Sequence, residues 1–248
     1  MFLHATRTRK AGTVATLLTA LTVSLGMTAP VVHSAGASHP ANAGIRPANF
    51  VRSIDNPYMP LKPGTTFIYR GKRDGKPERN VVRVTHQTKL ISGVTAVVVH
   101  DQVFVRGHLA EDTYDWYAQD KAGNVWYLGE NSKDVKNGRV TSVAGSWEAG
   151  KRGAQPGIIM QAHPHVGMAY RQEFLKGEAE DRARVVALNR SVAVPYGSFK
   201  GLLVTKEWTA LEPGVVENKY YARNLGNVCT TTVKGGSDYD ELIGVRHG

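Results

Sequence analysis

The most constraining feature of this chain is its rhythm. From residue 65 onward, short runs rich in β-branched and aromatic residues recur about every ten residues, each closed by a turn signal. The runs fall at 65–70, 81–87, 94–105, 113–119 and 125–130, then at 139–147, 168–175, 179–194, 199–211, 215–222, 228–233 and 239–245. No window keeps a helical period of about 3.6 residues over three turns. Even spacing of many short strands predicts an all-β fold, an antiparallel meander closed or curled into a barrel or half-barrel, with few helices.

Three turns set local register. Asn137-Gly138, between Val135 and Val140, is a two-residue hairpin turn, because both residues tolerate positive φ. Asp120 to Asn124 predicts a three-residue loop with Gly123 left-handed. Ala118 is then expected opposite Trp126, Trp116 opposite Leu128 and Tyr114 opposite Glu130. One face of the hairpin carries Tyr114, Trp116, Ala118, Trp126 and Leu128, and the other Asp115, Tyr117, Gln119, Val125 and Tyr127. In the third turn, 176–179, glycine at the first central position predicts Glu173 opposite Arg182 and Arg171 opposite Arg184. Tyr170, Gln172 and Phe174 then share the inner face with Asp181, Ala183 and Val185. The alternative register would set Glu173 against Glu180, a like-charge pair that costs stability.

Residues 1–37 read as an address. Arg7, Arg9 and Lys10 precede an apolar, acid-free run from 11 to 32, and Ala35-Gly36-Ala37 offers a cleavage site, with Ala41-Asn42-Ala43 as a later option. This predicts an exported, extracellular protein with no transmembrane anchor. Residues 38–60 form a Pro-, Ala- and Asn-rich lead-in that docks near 50–58, and residues 61–248 form one antiparallel β domain. Loss of the leader lowers the 31 basic residues to 28 against 21 acidic ones, a net charge of +7. Such a charge suits anionic cell-envelope polymers as partners. No run of five basic residues exists, which argues against nucleic acid. The single cysteine, Cys229, excludes an internal disulfide and reads as a small buried hydrophobe.

No motif carries a specific reaction, and no cofactor is implied. Gly145-Ser146-Trp147-Glu148-Ala149 and 197–201 lack the strand-to-helix setting of a nucleophile elbow. His100 and Asp101 are strand neighbours on opposite faces and cannot pair with each other. Met160, His163, His165 and Met168 have the softness and spacing for a copper-handling site, although Pro164 bends the run and Gly153, Pro156, Gly157 and Gly167 mark the area as loop. Asp115, Glu130, Glu148, Asp181 and Glu207 lie in or beside aromatic strands. Two of them in one cavity would suit a carboxylate-dependent glycoside hydrolase or lyase. The leading expectation is a secreted protein that binds a polar-aromatic or saccharide-like small molecule in its concave face. Asp115, Tyr117, Gln119, Tyr127, Gln172 and Asp181 are the expected ligand contacts, because tyrosine buries its ring while its hydroxyl keeps a partner.

The strings 50–58 (FVRSIDNPY), 115–120 (DWYAQD), 123–127 (GNVWY), 170–173 (YRQE), 179–181 (AED) and 217–222 (ENKYYA) resemble an uncharacterised family of secreted bacterial proteins. The resemblance covers roughly residues 50–245 and implies an exported, single-domain β-protein, without an activity or catalytic residues. After Ala222, the family's Pro-Gly turn is replaced by Arg223-Asn224-Leu225, and His163 and His165 lie outside the shared strings. More remotely, the strand pattern resembles the half-barrels of lipoprotein carriers, an analogy of fold alone.

Overall fold

A computed structural model of the chain describes residues 45–248; the expected export segment and residues 38–44 of the lead-in lie outside them. After a 3-10 turn at Pro47–Asn49, the elements are β1 (Phe50–Val51), β2 (Thr65–Arg73), β3 (Lys76–Ile91), β4 (Val94–Val105), β5 (His108–Asp120) and β6 (Val125–Lys136). There follow β7 (Arg139–Ser142), β8 (Trp147–Glu148), β9 (Gln155–Met160), β10 (Ala169–Arg171) and β11 (Glu173–Phe174). The chain ends with β12 (Asp181–Val194), β13 (Gly197–Thr209), β14 (Val216–Ala222), β15 (Gly226–Lys234) and β16 (Tyr239–His247).

Thirteen strands follow one another in an antiparallel sheet in the order β10-β12-β13-β14-β15-β16-β2-β3-β4-β5-β6-β9-β11, with β1 paired to β5 and β7 and β8 to β6. Its two edge strands, β10 and β11, are separated in the chain by Gln172 alone, so the sheet curls until its edges meet. The result is an all-β, nearly closed barrel with one unsealed seam. At the seam the backbones approach so closely that a Cβ on Gly157 would lie 2.4 Å from the Gln172 carbonyl carbon, so only glycine fits there.

Two-residue turns explain the local order. Arg73 pairs with Lys76, Ile91 with Val94, Val105 with His108 and Lys136 with Arg139. The intervening pairs Asp74-Gly75, Ser92-Gly93, Arg106-Gly107 and Asn137-Gly138 all have positive φ, the type I′ geometry that matches strand twist. Phe67, Val82, Val84, Val99, Tyr117, Leu203 and Tyr221 belong to the core. The lead-in is part of that core: Ile54, Met59 and Leu61 are buried in it. Asn56 is fastened beside them, donating from Nδ2 to the Gly123 and Gln161 carbonyls at 2.9 and 3.1 Å.

Register departs from expectation at two places and strand content at a third. The β5–β6 loop forms as expected, with Gly123 at φ 94° and Ala118 opposite Trp126. A bulge at Leu128–Gly129 then shifts the ladder, so Trp116 faces Gly129 and Tyr114 faces Asn131. Gly129 makes this possible, with φ 137° and no room for a Cβ beside the Trp147 carbonyl. The expected opposition of Glu173 to Arg182 is incorrect: Arg171 faces Arg182, and Glu173 pairs with Pro156 on β9. The turn begins one residue early, with Glu178 N–H donating to the Leu175 carbonyl, and Gly177 takes φ 75° at its second central position. Glu173 avoids Glu180 because the strand changes partners at Gln172. Phe174, expected on the inner face, lies under the Arg171 guanidinium instead. Residues 155–160, read as loop from Pro156 and Gly157, form strand β9.

Candidate functional site

Strand alternation places acids inside this barrel. In β4, Asp101 is in phase with Val97, Val99 and Val103, and all four are buried. The same holds for Asp115 beside Tyr117, Asp181 beside Ala183, and Asp240 beside Leu242. Ten of the 21 acidic residues are buried, which is unusual for carboxyl groups. They form three adjoining neighbourhoods.

The first lies on β5, β6 and the seam. Asp115 faces Glu130 across the ladder, and the Tyr127 hydroxyl donates to Asp115 Oδ1 at 2.6 Å. Tyr117 stacks on Tyr127 with centroids 4.8 Å apart, and Trp147 meets Tyr127 edge-on while its Nε1 donates to Glu173 Oε2 at 2.7 Å. Burial, reinforced by Asp115 and Glu130, raises both tyrosine hydroxyls well above their ordinary range. The Tyr127 hydroxyl thus stays protonated and serves as a hydrogen-bond donor.

The second neighbourhood lies on β12, β13 and β14, where Ala183, Glu207 and Glu217 form one cross-strand row and Val185, Thr205 and Lys219 the next. The Lys219 ammonium sits 2.9 Å from Glu207 Oε2. Thr205 donates to Glu207 Oε1 at 2.7 Å, and Tyr221 does so at 3.4 Å. Burial works against the Lys219 charge, but Glu207 and Glu217 more than offset it and raise the ammonium pKa. Burial raises Glu217, against the opposing pull of Lys219.

The third neighbourhood spans β16, β2 and β3, with Asp240, Gly71 and Glu78 in one row. Arg73 bridges Glu78 Oε2 at 2.7 Å and Glu111 Oε2 at 3.2 Å. Burial and the neighbouring Glu78 carboxyl push Asp240 up to about 8. Asp101 contributes to the field at both Tyr69 and Tyr117, and Asp181 to that at Glu217 and Lys219, so the neighbourhoods join electrostatically. Within this band, the side chains of Asn80, Asp101 and Gln172 are fully buried, and none of their polar side-chain atoms has a hydrogen-bond partner. Buried polar groups ordinarily have one.

Of the residues expected to contact a ligand, Asp115, Tyr117 and Tyr127 come together in the first neighbourhood. Gln172 and Asp181 adjoin at the seam, where Gln172 N–H donates to the Asp181 carbonyl at 2.9 Å. Gln119 is engaged with the lead-in, donating to Asp55 Oδ1 at 2.6 Å and accepting from the Asp55 and Asn56 N–H groups. Asn80, Asp101, Lys219 and Asp240 escaped the sequence reading. Their signal was phase: Asp101 recurs at the interval of the buried valines on its strand.

The other candidates scatter. Met160 is buried on β9, whereas His163 and His165 are exposed on the following loop and Met168 is half-buried beyond them. Among the described residues no three His, Cys, Asp or Glu side chains are grouped to hold a metal ion. Glu148 is paired with Lys89 and Lys151, each at 2.9 Å. His100 turns away from Asp101 to meet Asp112 at 2.7 Å and stack on Tyr114. Burial, then Glu241 and Asp240, push the Cys229 thiol up to about 12, which leaves it protonated and inert. An open depression of about 510 Å³ at the β4–β5 and β6–β7 tips includes Asp112, whose carboxylate is already engaged by His100 and Gln102.

No family model matches this chain, and no curated protein matches it. Two solved structures are similar in fold. One is a candidate exported protein with a YmcC-like fold from Bacteroides fragilis, at 16% identity and TM-score 0.45, covering 79% of this chain and 100% of that one. The other is a candidate lipoprotein from Parabacteroides distasonis, at 10% identity and TM-score 0.40, covering 76% of this chain and 98% of that one. Likenesses this distant carry no activity to the present chain. No helix among the described residues is long and apolar enough to cross a membrane.

Proposed function

We propose that this is an exported binding protein that holds a polar, saccharide-like small molecule inside the barrel, against the buried polar band. The supporting observation is the set Asn80, Asp101 and Gln172, fully buried with unpartnered side chains. Leaving such groups unsatisfied is costly, and a polyhydroxylated ligand supplies both donors and acceptors to them. The stacked Tyr117 and Tyr127 add aromatic surface next to Asp115. Export rests on the leader-like residues 1–37.

Calorimetric titration with a panel of soluble oligosaccharides tests this reading. Saturable binding without turnover is expected, with a loss of about tenfold or more in Gln172→Ala while the urea midpoint stays near wild type. Absence of binding across the panel, or affinity indifferent to Gln172→Ala and Asn80→Ala, would overturn it. A second reading, a carboxylate-dependent hydrolase or lyase, is favoured by one contact: Asp115 faces Glu130 while accepting from Tyr127. Turnover of a polysaccharide that is abolished in Asp115→Asn would select this reading over simple binding.

A further inference from the structure

We infer that the interior ligand carries a positively charged amine, as an amino sugar does, and that Asp101 is the carboxylate that receives it. This rests on the reading of the barrel interior as a binding site. Ten carboxyl groups are buried in this band, and the cations Lys219 and Arg73 are engaged by Glu207 and by Glu78 with Glu111, not by Asp101. Asp101 has no exposed surface, and neither of its carboxyl oxygens has a hydrogen-bond partner. An ammonium donor would give those oxygens both hydrogen bonds and a countercharge. Asn80 and Gln172, equally buried and unpartnered, offer amide donors and acceptors that suit ring hydroxyls. A metal ion fits less well, since no three suitable ligands are grouped among the described residues. The chain as a whole is basic, at +10, yet ten of its 21 acidic residues are buried. A polar interior of one sign discriminates among ligands by charge.

The test is titration of the exported chain with the glucosamine trimer and its N-acetylated counterpart, with spermidine as a third probe. The free-amine trimer is expected to bind at least about tenfold tighter than the acetylated one, the scale of one charge-assisted hydrogen bond. Asp101→Asn should erase most of that preference, weakening the free-amine trimer by a larger factor than the acetylated one. Gln172→Glu, which adds a carboxylate to the band, should enlarge it. Equal affinity for the two trimers, or a preference that survives Asp101→Asn, overturns the inference. Tight binding of the acetylated trimer that is lost in Gln172→Ala preserves the saccharide reading while removing the amine. If neither trimer binds, the saccharide reading falls and spermidine decides the amine: Asp101-dependent binding supports it, and no binding overturns it.

Discussion

The two faces of β12 and β13 carry opposite charges and solve the problem of like charge in opposite ways. On the outer face, Arg171 stands opposite Arg182, and Arg184 opposite Lys206. Arg182, Arg184 and Lys206 are exposed, and water screens their repulsion. At Arg171, the less exposed member, burial and then Arg182 lower the guanidinium pKa. On the inner face, Glu207 stands opposite Glu217 without solvent, and the pair is tolerated because Lys219 lies in the next row. The same strand spacing therefore gives a nearly free arrangement outside and a strongly interdependent one inside.

The contrast breaks hardest at Lys219. Lys219→Met should destabilise the fold by about 3–5 kcal/mol, because it strands buried carboxyls without their cation. A urea-unfolding midpoint close to wild type would mean that the inner row does not depend on the ammonium. Next comes pH. Asp240 is raised from its ordinary value near 4 to about 8, so across that window the native state keeps a proton that the unfolded chain has released. Stability should fall as pH rises through it. The melting temperature is expected to drop by at least about 4 °C between about pH 5.5 and 8.5. Asp240→Asn should remove a large part of that slope, and an unchanged slope would contradict the assignment. Smaller again is Asp115→Asn, which keeps an acceptor for the Tyr127 hydroxyl. We expect a stability change of no more than about 1–2 kcal/mol but measurably weaker ligand binding. The smallest effect belongs outside: Arg184→Gln should change stability by no more than about 0.5 kcal/mol, toward stabilisation, because it relieves the facing Lys206. A marked loss in urea unfolding would mean that the outer cations have a structural partner.

The fold was legible wherever a turn declares its own geometry. Asn137-Gly138 and Gly123 set two turns correctly, and the alternation of β5 put Asp115 and Tyr117 on one face. Legibility ended where tertiary contacts overrule local chemistry. The bulge at Gly129 depends on the approach of Trp147, a residue distant in sequence. The shifted turn at Leu175 reflects the change of strand partner at Gln172, which no local pattern encodes. Strand β9 was hidden by Pro156 and Gly157, yet Gly157 is what the seam requires. The site was half legible for a different reason. Alternation shows which residues share a face but not which face is inside, and acids are expected outside. Asp115 and Asp181 came to notice through aromatic neighbours, whereas Asp101 and Asp240, set among aliphatic residues, did not.

The pairing of β2 with β16, from Thr65 with His247 to Lys72 with Tyr239, has a kinetic consequence. The hairpins of β2 to β6 join sequence neighbours and close small loops quickly. Joining β2 to β16 instead brings together segments separated by nearly the whole described chain, a loop closure that favours slow folding. Until β16 arrives, β2 presents an open strand edge, able to pair with the same edge of another molecule. Strand β16 is therefore both the latch of the barrel and its guard against self-association, and the chain stays adhesive until that strand has docked on β2.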